Sequence, residues 1–197
     1  KNSHRLNVRA IGAVSTNSGC DDPVQNVWAE TALNRSFNTI GINRYLLTKD
    51  INAVRNIAGM VPYDQIYILV NTDKYGGGGI FNFINISASR SKNNREVILH
   101  ELGHGFGGLG DEYVNEGSAH AADLSVEPWE NNLTLFSGGE IKWQNLIEPG
   151  TPLPTPYRVT DGTDVIGLFE GASNASEGIY RPAYDCRMRS NGAKDFC

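Results

Sequence analysis

An α+β fold is predicted for this chain of 197 residues from three observations. Short β-branched runs occupy the first half. One strongly patterned helix lies near the middle. The part after Gly110 is irregular and rich in proline. The length fits a single domain, 1–197, able to bury a core without help.

The elements follow in order. Leu6 to Val14 alternates loosely and is β-branched enough for a strand. Ser15 to Pro23 is a polar loop of Ser, Asn, Gly and Asp. Thr48 to Ala58 reads as a helix, with Ile51, Val54 and Ala58 on one face and Gly59 as its stop. Gln65 to Val70 is a continuous apolar run and reads as a buried central strand. Tyr75 to Gly79 is a sharp break, and Ile80 to Ser87 then alternates as a strand near an edge. Arg95 to Phe106 is the clearest helix. From Asp111 onward the periodicity is lost, with prolines at 128, 149, 152, 154, 156 and 182. No internal repeat or low-complexity segment occurs.

Charge and composition exclude some functions. The net charge is −5 with no Lys/Arg-rich block, which argues against a nucleic-acid partner. The longest apolar runs, such as Ile66 to Val70, are far too short to span a membrane. The chain opens on Lys1 rather than Met, as expected of a processed product or a cut piece of a longer chain, whose first strand could be missing. Three cysteines, Cys20, Cys186 and Cys197, leave one odd. Cys186 and Cys197 are close enough in sequence to bridge, which would imply an oxidising compartment; three unpaired thiols are the plainer alternative. Asn-x-Ser/Thr triplets at Asn34, Asn85, Asn132 and Asn174 arise readily by chance in so Asn-rich a chain.

The informative residues are His100, Glu101, Leu102, Gly103 and His104, an HExxH motif. Two histidines four apart on a helix lie one above the other, so both imidazoles can bind one metal. With His100 at zero on the helical wheel, His104 falls near 40° and Glu101 near 100°, at about 100° per residue. Ile98, Leu99, Leu102 and Phe106 fall on the opposite side, which predicts an apolar face packed on a sheet and a polar face holding ligands. A bare HExxH recurs by accident. Here it sits on a patterned helix, and Gly107 to Gly110 allow the sharp turn that would return a third ligand. A carboxylate is an acceptable third zinc ligand. We take Asp111, with Glu112 in reserve; the plainer alternative leaves both as solvated turn residues.

His100 to Tyr113, HELGHGFGGLGDEY, resembles the active-site segment of the immunoglobulin A peptidase family of metzincin-type zinc metallopeptidases. Leu6 to Val8, Ser15 to Pro23 and Val70 to Gly79 resemble its upstream segments. Leu168 to Ala172, Tyr180 to Pro182 and Cys186 to Arg189 resemble its closing segments, while Val114 to Asp164 matches only vaguely. The resemblance implies a metzincin-like mixed sheet with an active-site helix and a loop-rich C-terminal half. It also implies that the family's opening strand and some closing residues lie outside this chain. Met188 would be the floor beneath the metal, in a tight turn. A Cys186–Cys197 bridge would pin that turn and leave Cys20 free or paired elsewhere.

The resemblance further implies a zinc metalloendopeptidase with one catalytic Zn²⁺ held by His100, His104 and Asp111. Its substrates would be extracellular proteins, with immunoglobulin A a candidate. The metal would acidify a water, and Glu101 would take its proton and pass it to the leaving amine. Ile80 to Ser87 would align an extended substrate by strand addition. Tyr113, Tyr180 and Tyr184 are candidates to contact the oxyanion or substrate. The protein would be secreted, on a cell surface or periplasmic. Two alternatives stand beside this reading: a non-catalytic binding module stabilised by zinc, and a zinc amidase acting on cell-wall fragments or small amides.

Overall fold

The computed structural model describes residues 6–115, 117, 123–136, 139–157, 165–193 and 195–196. The chain divides into two compact units, Lys1–Glu101 and Leu102–Cys197. Helices and several small sheets make it a mixed α and β structure.

In the first unit, β1 (Arg35–Ser36) and β2 (Leu47–Thr48) form a short antiparallel pair. Helix α1 (Ile51–Ala58) follows. Asp50 caps it, its Oδ1 accepting from the Ala53 N–H at 3.0 Å. Val54 and Ala58 turn inward as the spacing requires. A three-stranded sheet then forms from β3 (Ile66–Val70), β4 (Gly77–Ile80) and β5 (Ile84–Ala88), in the order β3-β5-β4. β3 runs parallel to β5, and β4 antiparallel to it. Val54, Val70, Ile84 and Ile86 join Leu33, Phe37 and Leu46 in the core.

Three expectations change here. Leu6 to Val14 is not a strand: Leu6, Val8 and Val14 are 66%, 85% and 92% exposed, so no burial stabilises an extended pairing. Gln65 to Val70 does contain a strand, but β3 lies at the side of its sheet, with Leu69 exposed. The centre belongs to β5, whose five residues are all buried. Ile80 to Ser87 is therefore not one edge strand. The chain reverses between β4 and β5, with Asn82 at φ 55° and the Phe83 N–H donating to Ile80 O at 3.1 Å. The glycine run, read as a break, supplies the edge strand β4 itself.

In the second unit, β6 (Phe169–Ala172) and β7 (Ala175–Arg181) form an antiparallel hairpin. Its loop residues Ser173 and Asn174 both have positive φ, as a tight two-residue turn demands. Leu133, Ala172 and Ile179 pack as one cluster; Ile141, Trp143 and Leu168 form another. Most of the remainder is irregular, as the prolines indicated. Among the described residues no helix is long and apolar enough to cross a membrane. Asn85 and Asn132 are buried, so the fold hides two of the four triplets.

Candidate metal centre

Helix α2 (Asn94–Gly105) carries the HExxH motif. Glu96 in its first turn complements the helix dipole. The wheel's apolar face is buried only in part: Ile98 and Leu102 are half-buried. Val97 and Glu101 are buried, while Leu99 and Phe106 are 38% and 66% exposed. Within the first unit α2 makes two close contacts. The Tyr67 hydroxyl donates to Ile98 O at 3.0 Å. Burial, with the Glu101 charge adding to it, pushes that hydroxyl up, so it stays a neutral donor. Glu101 in turn lies against Gly77 of β4: a Cβ added there would stand 2.5 Å from Glu101 Oε1.

His100, His104 and Asp111 offer one ligand atom each, all within 4.8 Å of one another. All three side chains are half-buried. The His104 Nδ1 lies 2.6 Å from Leu109 O, which can only accept. That contact assigns the ring proton to Nδ1. Nε2 is then the ring atom left to ligate a metal, and it lies 3.2 Å from Asp111 Oδ1. Ligand atoms around a tetrahedral zinc sit roughly 3.3 Å apart. Two imidazoles and a carboxylate at this spacing fit one divalent ion after small side-chain rotations.

The turn after α2 brings Asp111 back. Gly107 and Leu109 donate to Gly103 O, and Gly108 donates to His104 O, each at 3.1 Å. Gly108 has φ 62°, which a side chain would strain. Glu112, the reserve ligand, faces elsewhere. It is fully buried, with Oε1 accepting from Asn132 Nδ2 at 2.9 Å and Oε2 from the Cys186 thiol at 3.3 Å. Met188 is fully buried, and a Cβ added at Gly103 would strike its Sδ. Met188 thus packs against Gly103 of the motif.

The three tyrosines separate. The Tyr113 hydroxyl donates to Asp111 Oδ2 at 2.6 Å. Tyr180, on β7, meets Phe136 edge-on at 6.0 Å. Tyr184 stacks on Tyr157 at 4.3 Å and lines a cleft of about 310 Å³ with Phe169 and Arg181. Cys20 and Cys186 are free, buried thiols, and Cys197 lies outside the described residues, so the bridge expected to join it to Cys186 is not described. Sequence reasoning missed Asn132 and Gly77. The glycine run was a usable signal for the second, whereas nothing near Asn132 marks it.

No curated protein matches this chain. The family model described as IgA Peptidase M64 matches residues 1–165, a span that holds the HExxH helix, the glycine turn and Asp111. On that match the chain belongs to the IgA peptidase family.

Proposed function

We propose that the chain is a zinc-dependent endopeptidase that hydrolyses peptide bonds of extracellular proteins. The observation that carries this reading is the convergence of His100, His104 and Asp111 one residue from the buried Glu101. Zn²⁺ held by these three would polarise a scissile carbonyl and lower the pKa of water toward about 7. A set of two histidines and a carboxylate, with no cysteine in it, resembles catalytic rather than structural zinc sites. Membership in a peptidase family likewise favours an enzyme over a passive module.

The chain's own residues have separable tasks. Glu101 takes the proton from the attacking water and returns it to the leaving amine. His104 is held by Leu109 O so that Nε2 stays available. Tyr113, bonded to Asp111, orients that carboxylate. Strand addition moves from Ile80–Ser87 to β4, because β5 is paired on both sides. The Gly77 carbonyl already accepts from Leu46 N–H at 3.0 Å, so the substrate would pair beyond it, from Gly79 onward. The family's printed name makes immunoglobulin A the first substrate to try. Such a substrate would put the protein outside the cytoplasm: secreted, at a cell surface or in the periplasm.

Glu101→Gln tests the reading. The variant should keep stoichiometric zinc and lose about 100- to 10,000-fold in kcat on a protein substrate. Cleavage at the wild-type rate would remove Glu101 from the chemistry.

A further inference from the structure

Asp111 sits in a turn whose backbone is held at three successive residues. The Asn132 side chain, itself 3% exposed, grips Gly110 twice. Its Oδ1 accepts from the Gly110 N–H at 2.7 Å, and its Nδ2 donates to Gly110 O at 3.0 Å. The same amide donates to Glu112 Oε1 at 2.9 Å, so one side chain spans both neighbours of Asp111. The Asp111 carbonyl accepts from the Ser173 N–H at 2.9 Å. The Glu112 N–H donates to Met188 O at 2.9 Å, and its Oε2 accepts from Cys186 at 3.3 Å. Gly110 permits the close approach, since a Cβ there would strike the Leu133 side chain.

We propose that Asn132 and Glu112 are positioning residues for metal binding, which lock the Gly110–Glu112 turn so that Asp111 faces His104 before any ion arrives. The inference rests on the metallopeptidase reading and deepens it. The physical reason is entropy. A loose turn must be ordered when the ion binds, and each ordered residue opposes binding. A turn already fixed by buried hydrogen bonds carries no such cost. Glu112 contributes from outside the ligand set: a buried carboxylate fastens the turn to the segment that holds Met188. The same geometry explains why Glu112 reads as a ligand in sequence yet is none in space.

The test compares zinc affinity, by chelator competition, for the wild type, Asn132→Ala and Asn132→Asp. The second variant keeps the acceptor for Gly110 N–H and loses both donors. Each should bind zinc about 10- to 100-fold more weakly. At saturating Co²⁺ their visible spectra should match the wild type, because the ligands are unchanged; Asp111→Ala should alter that spectrum. Wild-type affinity in a folded Asn132 variant overturns the proposal. Hydrogen exchange on the wild-type protein covers the case of variants that do not fold. Amides of residues 109–113 should be protected without metal, and zinc should add little. A turn that exchanges freely until zinc is added overturns the proposal as well. A wild-type protein that binds no zinc would instead sink the metallopeptidase reading.

Discussion

Gly77 and Glu101 approach so closely that no other residue fits at position 77. A Cβ there would lie 2.5 Å from Glu101 Oε1, and 2.9 Å from both Glu101 Cγ and Ile86 O. A Cβ there clashes with both the Glu101 side chain and the β5 backbone, so the side chain, the more mobile of the two, must give way. Gly77→Ala should therefore push Glu101 out of place. We expect about 100-fold lower kcat with zinc retained, as for an ångström-scale misplacement. Overpacking should also lower stability by about 1–3 kcal/mol. Steady-state kinetics and metal analysis check this, and undiminished kcat would refute it.

Gly103 and Met188 form a second tight contact. Alanine at Gly103 would meet Met188 Sδ, with Phe196 Cε1 2.8 Å away. Gly103→Ala should destabilise by about 1–3 kcal/mol. Met188→Ala made in the same chain should recover part of that loss, since residues in contact couple by about 0.5–3 kcal/mol. Denaturant unfolding of the double-mutant cycle measures the coupling. Simple additivity would mean that the two side chains do not share that space.

Metal removal has a thermodynamic signature separate from turnover. An ion that binds only the folded chain stabilises it by about 2.7 kcal/mol at one hundred times its dissociation constant. Stripping with 1,10-phenanthroline should lower the melting temperature and stop casein cleavage, and zinc should restore both. His104→Ala should remove the zinc-dependent increment. A melting temperature blind to zinc in the wild type would contradict the site.

Cys20 should be inert in the folded protein. Burial raises its thiol to about 11, against a partial opposing pull from Arg35. Stability from the neutral thiol is complete below its ordinary value of 9.0 and is lost as pH rises from there through the folded value of about 11. At pH 8 about one thiol in a thousand is ionised, and the thiolate is the nucleophile. Iodoacetamide at that pH should leave Cys20 unmodified by mass spectrometry until denaturant is added. Rapid labelling of the native chain would contradict the burial.

The sequence alone determined the candidate metal ligands, because their spacing is local. His100 and His104 share a helix face by the 3.6-residue period, and Gly107 to Gly110 announce a turn before a carboxylate. The α+β class was legible for the same reason: α1, β3 and α2 each follow from a short window. Tertiary structure decided which surfaces those elements use. Leu99 looks like core on the wheel yet is exposed, while Glu101, on the ligand side, is buried against Gly77. The glycine run looks like a break yet pairs with β5, since a strand needs a partner more than side chains. Asp111 and Glu112 are chemically alike and adjacent. Asn132, twenty residues beyond Glu112, takes one carboxylate into the interior, and the other is left facing His104. Such a choice depends on which partner arrives from a distance, and no local pattern encodes it.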